Sequence, residues 1–144
     1  MKIVDANVLL YAVNEDAHGH DASRRWLEAS LSGVETVGFA WIVLLAFLRI
    51  STRSGVFARP LAPREALDVI DAWLASPCAI IAHPSDRHGP IFRDLVERTG
   101  TGGNGTTDAH LAALTIEHGA ELWSWDRDFA RFPGLTFRLL PVSR

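Results

Sequence analysis

Lys2-Ile3-Val4-Asp5-Ala6-Asn7-Val8-Leu9-Leu10-Tyr11 decides the fold. Residues 2–5 are an apolar run that ends on an acid, and we read them as a short buried strand. Val8, Leu9, Tyr11 and Ala12 suit a short helix directly after it. A strand that turns at once into a helix, with a carboxylate at the junction, is the opening unit of an α/β chain.

Working outward, the same alternation continues. Residues 14–20 are polar and turn-like, and Asp21 is placed to cap a helix that Gly33 ends. Residues 35–39 read as a second strand, and residues 40–53 as a helix so apolar all round that it should be buried, in the core or a subunit interface. A loop over 54–61 leads to a helix with Pro63 near its start, running to about residue 75. A third strand follows over 78–82, in which Cys78 is expected to be buried. Helices are predicted over 91–98 and 108–118, separated by the glycine-rich stretch 100–107. A fourth strand over 121–125, a turn with a short helix over 126–132 and a last strand over 135–140 complete the chain. The expected architecture is a three-layer α/β domain, with a mostly parallel central sheet flanked by helices, as a single unit over 1–144.

In such a chain, acids at the C-terminal ends of strands fall on one edge of the sheet, where open α/β sheets bind ligands. Asp5 follows the first strand, Asp108 begins a helix, and Asp126 and Asp128 follow the fourth strand. Each has an ordinary use taken singly: helix cap, first-turn acid on the macrodipole, or turn aspartate. Together they predict clustered carboxylates, whose repulsion a hard divalent cation relieves. The expectation is therefore a Mg²⁺ or Mn²⁺ site and phosphoryl chemistry.

Composition narrows the field. At 144 residues the chain can bury a real core. No apolar stretch approaches the roughly 18 residues of a membrane span, and there is no basic-then-apolar secretory leader at the N-terminus. One cysteine excludes an internal disulfide and fits a reducing cytoplasm. A net charge of −3 argues against a protein that coats nucleic acid, so a nucleic-acid substrate would need metal and a local patch. Arg49, Arg53 and Arg59 are candidates for phosphate contact.

The stretch 100–107 nearly spells a P-loop, but Thr106 stands where the lysine should be and a helix precedes it. It is better read as a mobile loop beside Asp108. His18 and His20 lack a third ligand nearby, and His110, two residues past Asp108 on a helix, points away from it. Trp26, Trp41 and Trp73 fall at core-like helix positions, and Trp123 and Trp125 should face away from the acids.

Ile3 to Tyr11 resembles the opening strand and helix of PIN-domain nucleases, above all the VapC-type toxins of bacterial toxin–antitoxin pairs. Thr107-Asp108-Ala109-His110-Leu111-Ala112-Ala113-Leu114 resembles that family's third acidic motif, and Ser124-Trp125-Asp126-Arg127-Asp128-Phe129 with Phe132-Pro133-Gly134-Leu135 its last. The match runs in order over nearly the whole chain. The resemblance implies a metal-dependent endoribonuclease, with Asp5, Asp108 and Asp126 as catalytic, metal-binding acids and Asp128 as a fourth. Asn7 and Ser124 match polar positions beside the metal, where they would orient the acids or a bound water. Hydrolysis leaving a 3′-hydroxyl and a 5′-phosphate, a homodimer, and a small antitoxin that occludes the acidic pocket are implied as well.

One departure bears on activity. The family's second acid, a glutamate, has Ala46 in its place, and no acid occurs from residue 36 to residue 64. Asp128 compensates, or metal binding weakens, or the chain is a catalytically silent RNA- or protein-binding domain. Glu15 and Asp16 are further acids that could reach the site from the first loop. A Mg²⁺-dependent phosphohydrolase of small esters is a third reading, set back by Asn7 where that chemistry expects Asp-x-Asp.

Overall fold

The computed structural model describes residues 1–140; the last four positions of the expected 1–144 unit lie outside them. β1 (Lys2–Val4) buries Ile3 and Val4 completely, and β2 (Val37–Phe39) is buried throughout. Strands covered on both faces need apolar residues on both faces, which is why these segments read as unbroken apolar runs. β3 (Ala79–Ile81), β4 (Glu121–Ser124) and β5 (Phe137–Leu139) complete a five-stranded sheet in the order β3-β2-β1-β4-β5, every neighbour parallel. The edge strands are less covered: Ile80 on β3 is exposed, and Arg138 on β5 pairs with Glu121 of β4 at 3.0 Å.

Among the described residues six helices connect the strands: α1 (Ala6–Val13), α2 (His20–Leu31), α3 (Trp41–Ser51), α4 (Pro63–Leu74), α5 (His88–Thr99) and α6 (Thr106–Glu117). α1 packs on α2 and α3, and α3 on α4; α5 and α6 pack on each other. Right-handed crossovers put α1–α4 over one face, because β1 to β3 step one way along the sheet. The long return from β3 to β4 carries α5 and α6 across the other face. α6 is the central helix of that layer, with Ala109, Leu111, Ala112, Ala113, Leu114 and Thr115 all buried. Among the described residues no helix is long and apolar enough to cross a membrane.

The expected elements are present, with five local differences. α2 begins at His20 with Gly19 as its N-cap, so Asp21 lies in the first turn instead of capping. The reason is packing: a Cβ on Gly19 would come within 2.9 Å of the Trp125 ring and 3.0 Å of Tyr11, so only glycine lets the helix start that close. α3 is not buried all round, since Trp41 and Leu45, one turn apart, are 52% and 56% exposed; their side falls outside the contacts with α1 and α4 within the chain. Trp41 is therefore not a core residue, whereas Trp73 is, held between Phe39 and Phe47. Cys78 is only half-buried and precedes β3, its thiol turned toward the Ser30 and Leu31 carbonyls. The glycine-rich stretch is shorter than expected, because a 3-10 turn over Gly103–Gly105 runs straight into α6 two residues before Asp108.

Candidate acidic site

The strand order reverses direction between β1 and β4, which lie side by side with Val4 opposite Trp123. That gap between diverging crossovers is where an α/β sheet leaves an open crevice at its C-terminal edge. Asp5 and Asp126 both leave the sheet there. The Asp5 N–H donates to the Trp123 carbonyl at 3.0 Å, so sheet register fixes the first acid beside β4.

Asp5 also caps α1. Its Oδ1 accepts from the Ala6 N–H at 2.7 Å and its Oδ2 from the Ser124 hydroxyl at 2.6 Å. Ser124, fully buried at the end of β4, is the hub of the site. Its Oγ gives its proton to Asp5 and accepts from Asn7 Nδ2 at 3.1 Å and from the Asp126 N–H at 3.0 Å. One donor and two lone pairs are then all used. The Asn7 Oδ1 accepts from the Trp125 N–H at 3.3 Å, which ties the start of α1 to the end of β4 a second time. Asp126 opens a 3-10 turn over Arg127–Arg131 and caps it by accepting from the Asp128 N–H at 2.9 Å. Asp108 comes from the first turn of α6, half-buried, with its Oδ2 accepting from Arg131 Nη2 at 3.4 Å.

The electrostatics show how the acids sense one another. Burial, foremost, holds the Asp5 carboxyl above its ordinary pKa; the Ser124 and Ala6 hydrogen bonds oppose that, and the charges of Asp108 and Asp126 add to it. Burial also raises Asp108, against the pull of Arg131 and with the push of Asp126 and Asp128. The charges of Asp126 and Asp128 thus reach Asp108, and those of Asp108 and Asp126 reach Asp5. Among the described residues no three carboxylate, imidazole or thiol groups converge closely enough to ligate one ion as the side chains lie. The donor set itself, hard carboxylate oxygens in mutual repulsion, suits a hard divalent cation.

Other residues weighed from the sequence lie elsewhere. α3 starts at the C-terminal edge of β2, so Arg49, eight residues into it, sits about 12 Å along the helix from that edge, and Arg53 lies beyond the helix end. Ala46 is half-buried in mid-α3, and that helix carries no acid. Glu15 and Asp16 follow the far end of α1 and line a separate cleft with Arg59 and Glu65. His18 is exposed, and His20 bonds the Tyr11 carbonyl through Nδ1 at 2.8 Å. His110 does turn from Asp108: its Nδ1 meets His88 Nε2 at 3.0 Å, and His88 Nδ1 meets Glu117 at 3.2 Å. Trp123 packs on Trp26 and Trp125 on Tyr11, all partly buried against the core. The residue missed was Arg131. Its only sequence signal was a cation three positions after Asp128, at a turn spacing that brings the two together.

Comparison with known proteins agrees with this geometry. The chain matches the PIN domain family over residues 2–135. It is 51% identical to Ribonuclease VapC37 of Mycobacterium tuberculosis, over 99% of both chains. It is 41% identical to Ribonuclease VapC43 of the same organism, over 96% of this chain and 94% of that one. In structure it resembles VapBC2 from Rickettsia felis bound to a promoter DNA fragment, with TM-score 0.70, 20% identity and coverage of 97% and 98%. It also resembles Mycobacterium tuberculosis VapC20, described as a sarcin-ricin loop cleaving toxin, with TM-score 0.66, 20% identity and coverage of 94% and 99%. Sheet order, acidic edge and sequence lead to one conclusion: this chain belongs to the PIN-domain family.

Proposed function

We propose that the chain is a Mg²⁺- or Mn²⁺-dependent endoribonuclease and the toxin of a cytoplasmic toxin–antitoxin pair. One observation carries the reading. Asp5 and Asp126 are tied through Ser124 at the strand-order reversal, and Asp108 is tied to the Asp128 turn through Arg131, so acids from three separate segments are linked. Its support from relatives is the high identity to a named VapC ribonuclease along the full length.

Asp5, Asp108 and Asp126 would hold the cation, with Asp128 beside them. When bound, such a cation supplies an acidified water and neutralises charge on phosphate oxygens. Ser124 keeps Asp5 oriented and partly favours its ionised form, which is the ligating form. Asn7 locks Ser124 and the β4 end in register, so the acids from β1 and β4 cannot drift apart. The substrate is RNA, and the partner a small antitoxin. The exposed Trp41 and Leu45 of α3 suit the interface of a homodimer.

A second reading has its own observation. With no acid on α3 and Asp108 held by an arginine, the chain could be a silent RNA- or protein-binding domain. Cleavage of RNA by the purified, antitoxin-free protein with Mg²⁺ or Mn²⁺, beside EDTA and Asp5→Asn controls, separates the two. Metal-dependent cleavage lost in Asp5→Asn supports the nuclease. Folded protein that neither binds metal nor cleaves supports the silent domain.

A further inference from the structure

Arg131 holds the acidic edge from within the chain. Among the described residues it makes the one ion pair to any of the four acids, Nη2 to Asp108 Oδ2 at 3.4 Å. Two other contacts hold it regardless of Asp108. Nη1 donates to the Asp128 carbonyl at 2.8 Å, and the guanidinium lies over the buried Phe132 ring at 4.5 Å from its centroid. The same Nη2 lies 3.4 Å from where a Cβ on Gly105 would stand, an ordinary contact distance, so the arm lies against the start of α6.

We infer that Arg131 has two alternating roles, as counter-cation to Asp108 in the metal-free protein and as the RNA-phosphate contact in the loaded one. The inference rests on the proposed metal-dependent nuclease. Its first half follows from charge. A guanidinium on Asp108 offsets repulsion among the acids, and it competes with any cation for the same oxygen. The Asp108 contact is also the longest of the polar contacts that hold the arm, so it is the one that yields.

The second half follows from tethering. Once Asp108 gives up the guanidinium, the Asp128 carbonyl and the Phe132 face still keep it at the rim of the acids. A planar fork with five N–H donors, one of them engaged by the Asp128 carbonyl, then faces the place where a phosphodiester must lie to be cleaved. That fork matches phosphate oxygens two at a time, which a lysine cannot do. Arg49 and Arg53, the cations considered from sequence, have no comparable position.

The test uses the whole chain as wild type, Arg131→Gln and Arg131→Lys, with melting temperatures as a check on folding. Mn²⁺ binding is measured without RNA, by the electron paramagnetic resonance signal of the free ion. Cleavage of total bacterial RNA is measured at saturating Mn²⁺. Arg131→Gln should bind Mn²⁺ about fivefold tighter, the scale of one exposed ion pair. Its cleavage at saturating Mn²⁺ should fall by about a hundredfold, the scale of one lost donor to developing charge. Arg131→Lys should keep near-wild-type Mn²⁺ affinity and recover only part of the cleavage. A purely structural Arg131 would lower the melting temperature of Arg131→Gln and leave its Mn²⁺ affinity unchanged, which overturns the inference. Wild-type cleavage by Arg131→Gln overturns it equally. Either result, with an active wild type, leaves the nuclease reading standing. A wild type that neither binds Mn²⁺ nor cleaves defeats that reading and this inference with it.

Discussion

Ser124→Ala should damage the fold as well as the site. The Ser124 Oγ makes three hydrogen bonds in a place water cannot reach, the residue being 0% exposed. The short bond to the Asp5 carboxylate is charge-assisted, worth about 1.5–3 kcal/mol, and the two it accepts are worth about 1 kcal/mol each. Alanine also strands the Asp126 N–H and one Asn7 amide proton. The expected loss is about 3 kcal/mol, partly offset by repacking of Asn7. Because the Ser124 bond favours ionised Asp5, its removal lets the Asp5 pKa rise further. The penalty should therefore be largest above the folded pKa of Asp5 and shrink as acid protonates Asp5. Urea unfolding at neutral and acidic pH reads this directly, with an unchanged m-value required for the comparison. A loss below about 1 kcal/mol at pH 7 would refute the reasoning, as would a loss that grows on acidification.

Leu114→Ala, at 1% exposure on the buried face of α6, should cost about 2–5 kcal/mol in the same urea assay; a near-neutral result would mean the helix is not the centre of its layer. The Asp5 and Asp108 carboxyls are both raised, so the stability they contribute to the metal-free protein is present below their ordinary pKa and lost as pH rises through their folded values. Mn²⁺ must displace protons from those groups, so its stabilisation in thermal melts should be large at neutral pH and fade on acidification; a shift independent of pH would place the ion elsewhere. Ala46→Glu should tighten Mn²⁺ binding, on the order of tenfold for one added carboxylate, measured calorimetrically. No change would show that position 46 does not face the acids.

The acidic edge was legible in the sequence because topology, more than side-chain detail, creates it. Once Asp5 follows a strand and Asp126 follows another in an alternating chain, a parallel sheet puts them at the same end. Register then explains what the pattern could not: Val4 opposite Trp123 makes Ser124 the residue under Asp5. Asp108 was harder to place, since a first-turn aspartate in α6 serves the helix whatever it faces. Arg131 was invisible because its meaning lies in a tertiary contact with α6. The exposure of Trp41 was missed for a different reason. Apolar periodicity tells that a residue avoids water, and not whether its own chain provides the cover. Gly19 marks the reverse case, a helix start decided by the ring across from it, which overrode the better capping residue at Asp21.

The adjacency of β1 and β4 also sets the timing of the site during synthesis. Asp5 emerges from the ribosome well before its hydroxyl partner, residue 124, and before the neighbouring acids, residues 108, 126 and 128. A nascent chain that has exposed α1 through α5 has Asp5 but no β4 to pair with β1. Every residue from Asp5 to Asp128 must be made before the four acids can meet. Such long-range closure is a late step in folding. The crevice is thus assembled only after β4 and the turn behind it have been made.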